Sequence, residues 1–188
     1  MTKLILSIAE EADRELVLAL ASRLNLPVEE VGNSFDEVDF WEIVALLDPD
    51  KEAGISESVA QLASRTEPDI LAFADILAQK LFALDQMIYA KNLAPEDAWG
   101  AEGHFSGDHF LDARAYVIAK GRSYYQQVLR DPSRMPKGRI FEDILYLPEQ
   151  AWTKKTGKPY DHLPATNYFT FSNPAGWPQT LTQALKID

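Results

Sequence analysis

The chain has 188 residues and a net charge of −11, with 46% hydrophobic and 25% charged side chains, so it can bury a core and is neither disordered nor fibrous. It has no cysteine, which excludes disulfides, a thiol nucleophile and thiolate metal sites. Its apolar runs are too short to span a bilayer, and overall acidity argues against nucleic acid as a partner.

In chain order, residues 3–8 (KLILSI) are apolar and tolerate a β conformation, so a short strand is expected there. Ser7 and Glu10 then form a capping-box pattern that opens a helix to about Leu24. Asn25-Leu26-Pro27 ends it. This helix is apolar nearly all round and needs a cover, either the chain's own core or a second copy through residues 3–24. The start of the chain shows no signal-peptide pattern, and a cytoplasmic location is expected.

Ser34 and Glu37 repeat the capping-box spacing before a helix whose apolar face is Val38, Trp41, Val44 and Ala45. Gly54 marks a loop, and a short helix carries Val59 and Leu62 to about Arg65. Thr66-Glu67-Pro68-Asp69 starts the next helix, with proline in the first turn, where its missing N–H costs nothing. Ile70, Phe73, Ala74, Leu77, Leu81, Leu84 and Ile88 recur at steps of three and four, which predicts a central core helix reaching about Lys91. Asp75, Gln79, Lys80 and Gln86 fall off that stripe. Pro95 can open one turn that delivers Trp99.

Ser106 can cap a helix, Asp108 places a negative charge in its first turn, and Phe110, Ala113 and Val117 recur at helical spacing. Gly121 ends that helix. A second one runs from Arg122 to Arg130 and is stopped by Asp131-Pro132. After a basic loop, residues 140–156 are expected to be helical, with Pro148 kinking the helix or opening a new one, and Gly157 ending it. The remainder contains Pro159, Pro164, Pro174 and Pro178 among many aromatic residues. That composition predicts an irregular arm laid over the helices. The expected organisation is therefore mainly α: an N-terminal extension (1–33), a helical domain (34–158) and an aromatic C-terminal arm (159–188).

Ser106, Asp108, Phe110, Arg114, Gly121, Tyr125 and Pro132, together with Phe40-Trp41, Tyr146, Ala151 and Thr156-Gly157, resemble a bacterial family, domain of unknown function 4240. The resemblance covers about residues 38–158. It departs at Gly107 and His109, where the family pattern carries Asp and Gly. It implies a helical fold and carries no activity with it.

Few residues suggest chemistry. His109 and Asp112 share a helix face near His104 and Asp108, the weak beginnings of a metal site that matches no named zinc spacing. No metal or other cofactor is expected. A serine hydrolase would need a base and an oxyanion hole around Ser106, and no G-x-S-x-G turn exists. Arg114 lies among apolar neighbours, and a buried guanidinium needs an anion. Glu142 or Asp143 could pair with it, or it could read an anionic ligand.

Residues 1–112 hold 23 acidic and 7 basic side chains, a net of −16, whereas residues 113–188 are net +5. The expectation is a non-catalytic interaction protein in the style of an antitoxin, immunity protein or regulator. It would bind a basic protein through Glu29, Glu30, Asp36, Glu37 and Asp39. The alternative is a small-molecule-binding protein or enzyme with a pocket around Trp99, Asp108, Arg114 and Tyr125, completed by Ser106.

Overall fold

The computed structural model describes residues 11–24, 26, 35–51, 54–94 and 105–178, and these contain eight α-helices, one short 3-10 turn and no strand. The expected strand at 3–8 lies outside the described residues, as do the turn after Pro95 and the whole stretch 95–104. Residues 1–32 and 33–188 form two compact units. In the first, α1 spans Glu11–Arg23.

The second unit begins with α2 (Glu37–Val44). Its cap is Asp36, whose carboxylate accepts the N–H groups of Val38 and Asp39, while Asp39 accepts the Asp36 N–H. The capping box is therefore built by two aspartates, and Ser34, the expected cap, lies outside the described residues. The buried face is Phe40, Trp41, Ile43 and Val44, whereas Val38 is 56% exposed and Ala45 also faces solvent. Helix α3 (Ser56–Ser64) follows and buries Val59 and Leu62. Helix α4 (Glu67–Ala83) starts on a Thr66–Asp69 capping box with Pro68 in its first turn.

The expected continuation of α4 to Lys91 does not occur. The helix stops at Ala83, Gln86 is extended, and a single turn, α5 (Met87–Ala90), follows. The break has a physical cause: Asp85 is wholly buried and turned onto the C-terminal arm, and the Met87 N–H donates to Gly176 O. Ile88, the last expected stripe residue, is 54% exposed in consequence.

The most enclosed helix is α6 (Gly107–Ala119), in which Phe110, Leu111 and every residue from Ala113 to Ala119 are buried. Gly121 separates it from α7 (Arg122–Arg130), which buries Tyr125 and Val128. Asp131 caps the 3-10 turn Pro132–Arg134. Helix α8 (Asp143–Thr156) is continuous through Pro148, which is buried. It starts three residues later than expected and ends at Gly157 with φ of 68°. It packs against α3 and α4, and α6 packs against α4, α7 and α8. Phe40, Phe73, Phe110, Leu81, Ile118 and Leu147 are at the centre of the shared core.

Among described residues, 158–178 form no helix or strand. This strap brings Tyr168, Phe171 and Trp177 onto the core. Phe105, Phe110, Phe171 and Trp177 make a four-ring cluster with centroid separations of 4.6–5.9 Å. Among the described residues, no helix is long and apolar enough to cross a membrane.

Candidate functional site

Arg114 is the largest fully buried side chain, and its partner is not Glu142 or Asp143. Asp85, also fully buried, lies 3.8 Å from it. The guanidinium donates to Leu81 O (2.9 Å), Tyr168 O (3.1 Å) and Thr170 Oγ1 (2.9 Å). Burial brings its pKa down to about 10, against the pull of Asp85 and Asp112. Asp85 accepts three N–H groups, from Phe171, Asn173 and the Trp177 indole, at 2.9–3.2 Å. One buried ion pair thus binds the strap to α4 and α6. Phe171 adopts a positive φ of 75°, a strained conformation that these contacts must hold.

The residues expected to form one polar cluster serve separate structural roles. Ser106 caps α6 by accepting the His109 N–H. Asp108 is exposed in the first turn of that helix. Tyr125 packs on Trp41 with ring centroids 5.5 Å apart, and the buried Lys80 ammonium lies 5.4 Å from its ring centroid. Trp99 lies outside the described residues. Two cavities among the described residues, one between α4, α8 and the strap and one beside α5, are lined by none of Ser106, Asp108, Arg114 and Tyr125.

Lys80, expected away from the core, is buried. Its ammonium lies 5.2–5.8 Å from the ring centroids of Phe40, Trp41 and Tyr125 and 3.1 Å from Glu37. That arrangement combines cation–π attraction with an ion pair. The Trp41 indole donates to the same Glu37 oxygen, and chiefly that bond, helped by Lys80, holds the Glu37 carboxyl below its ordinary pKa. Of the acidic residues proposed for partner binding, Asp36 caps α2, Glu37 holds Lys80, and Asp39 lies 3.1 Å from Arg65. Glu29 and Glu30 fall outside the described residues.

His109 and Asp112 remain neighbours on α6. Burial raises the Asp112 pKa, and Glu142 and Asp108 raise it further. Among the described residues, no group of three or more His, Cys, Asp or Glu side chains is placed to hold a metal.

Where the strap leaves α8 it encloses a cleft of about 280 Å³. The floor is Ala74 and Leu77 of α4 with Leu145 and Pro148 of α8, and the strap supplies Tyr160, residues 162–164 and residues 166–169. His162 Nε2 lies 3.0 Å from Asp75 Oδ1; with the carboxylate as acceptor, the imidazole proton is on Nε2. Tyr160 packs against His162 on one side and Trp152 on the other, each with ring centroids 6.2 Å apart. Burial first, then Asp75, Tyr168 and Glu149, raises the Tyr160 phenol above its ordinary pKa. The cleft lining contains no lysine or arginine. A second, larger cavity of about 610 Å³ lies between α5 and residues 174–178, with Gln86 and Lys91 as its polar side chains.

Sequence reasoning missed Asp75, Asp85, Tyr160 and His162. Asp85 had a signal, because it falls on the Leu81–Leu84–Ile88 stripe, where a carboxylate must be buried and satisfied. Asp75 and His162 are 87 residues apart, and their pairing has no local signal.

Residues 35–154 match the model of a family described as "Protein of unknown function (DUF4240)". No curated protein and no solved structure matches the chain. The match spans well over half of the 188 residues, and the chain belongs to that family.

Proposed function

We propose that this chain is a non-catalytic interaction protein that binds a basic protein, as an antitoxin, immunity protein or regulator would. One observation carries the reading. The polar side chains best suited to chemistry, Arg114, Asp85, Ser106 and Tyr125, are used inside the fold. Over residues 1–112, meanwhile, acidic side chains outnumber basic ones by 23 to 7. Many of these acids stand at helix starts, including Glu37, Asp39, Glu57 and Glu67. Such a surface draws a cationic protein from a distance and speeds its association. Asp36, Glu37 and Asp39 belong to the proposed acidic surface, Glu29 and Glu30, outside the described residues, are proposed as partner-binding from the sequence alone, and a cytoplasmic location is part of the proposal.

The test is affinity capture with the full chain, followed by association kinetics with the purified partner. The expected partner is a basic protein whose on-rate falls several-fold as salt rises past about 0.15 M, where charges more than about 8 Å apart are screened. Its off-rate should change less. Because Asp36, Glu37 and Asp39 also hold α2 together, a charge variant is better made at the exposed Glu57 and Glu67. Capture of only acidic or neutral partners, or an on-rate indifferent to salt, would contradict the proposal.

A further inference from the structure

We propose that the cleft between α4, α8 and the strap receives an organic cation, namely a lysine or arginine side chain of the partner. This rests on the basic-partner reading and locates one point of contact. The shape fits one long side chain: a cleft of about 280 Å³ with an apolar floor of Ala74, Leu77, Leu145 and Pro148 for the methylene stem. The chemistry fits an ammonium or guanidinium group. Tyr160, Tyr168 and His162 line the cleft, and the Asp75 carboxylate, 39% exposed, stands behind His162, 3.0 Å from its Nε2. Glu149, exposed on α8 and next in sequence to the lining Pro148, adds a second negative charge felt at Tyr160. Aromatic rings attract a cation by their quadrupoles, and a carboxylate attracts it by charge. An anionic ligand would find no lysine or arginine in the lining. The rim is apolar and open, with Leu163 87% and Phe169 62% exposed, as a protein contact requires.

The same fold shows what such a site looks like when filled. Lys80 lies among Phe40, Trp41 and Tyr125 with Glu37 on its ammonium, an internal cation in an aromatic and acidic setting. The strap cleft offers a similar aromatic lining, with Asp75 reached through His162 and no lysine or arginine in the lining.

The experiment titrates the full-length chain with Nα-acetyl-lysine methylamide and Nα-acetyl-arginine methylamide, using the norleucine derivative as the uncharged control. Amide chemical shifts are followed by nuclear magnetic resonance. The expected result is saturable shifts at residues 160–168 with a cationic probe, and about tenfold weaker binding of the norleucine derivative. Asp75→Asn should weaken the cationic probe by a similar factor. Because Asp75 also holds His162, Glu149→Gln is the second variant, with a several-fold loss expected. The proposal is overturned if norleucine binds as tightly, if neither cationic probe shifts the cleft, or if both variants bind as wild type does. A captured basic partner that binds Asp75→Asn and Glu149→Gln unchanged would also overturn it, while leaving the acidic-surface reading standing.

Discussion

Gly176 shows how closely the strap approaches the helices. A Cβ added there would stand 2.5 Å from Gln86 Cγ and 2.7 Å from the Asp85 carbonyl oxygen. The second contact is with backbone, which cannot swing away. Gly176→Ala should therefore push the strap off α5 and destabilise the chain by about 1–3 kcal/mol, the usual range for overpacking. A urea midpoint equal to that of wild type would show that the strap gives way without cost. The tyrosines make a second residue-scale test. Burial raises the pKa of Tyr116, Tyr125 and Tyr160 above the ordinary 10. Above that pH the unfolded chain loses phenol protons that the folded chain keeps, so stability falls as pH rises past about 10. Phenolate absorbance in a pH titration should show part of the tyrosine complement ionising only as the protein unfolds. All seven tyrosines titrating together near 10 would contradict this.

At the scale of elements, helix starts and the main helices were legible from the sequence, because caps and apolar spacing are local signals. Thr66–Asp69 and Ser106 cap as their spacing indicates. The end of α4 was not legible. Periodicity carried the helix through residue 88, but a tertiary demand on Asp85 and a backbone bond to Gly176 broke it at Ala83. Lys80 was misplaced for a similar reason: a charge spaced off the stripe reads as exposed, yet Glu37 and three rings from other helices bury it. The part of the stripe before the break is core. Leu77 is 4% exposed, and Leu77→Ala should cost about 2–5 kcal/mol, measured by urea unfolding. The variant is also a control for the cleft, whose floor Leu77 helps to form.

For the 33–188 unit as a whole, the strap is the element whose role could not be read from composition. Its proline and aromatic content predicted an irregular cover. It did not reveal that a buried carboxylate in the α4–α5 connection and a buried arginine on α6 would both turn toward it. Those two charges make the strap part of the core. Without it, Asp85 loses three N–H donors and Arg114 loses Tyr168 O and Thr170 Oγ1. An ion pair left in that state inside the fold is costly, about 3–5 kcal/mol when one member of a buried network loses its partners. The strap also supplies Tyr160 and His162 to the cleft, so fold and proposed contact depend on the same segment.

The most direct measurement is equilibrium urea unfolding, followed by tryptophan fluorescence and circular dichroism, of the full chain and of a chain ending at Lys158. The account predicts that the shortened chain loses several kcal/mol of stability, or fails to fold cooperatively, and exposes apolar surface. A shortened chain with the same midpoint and the same slope as the full one would contradict it.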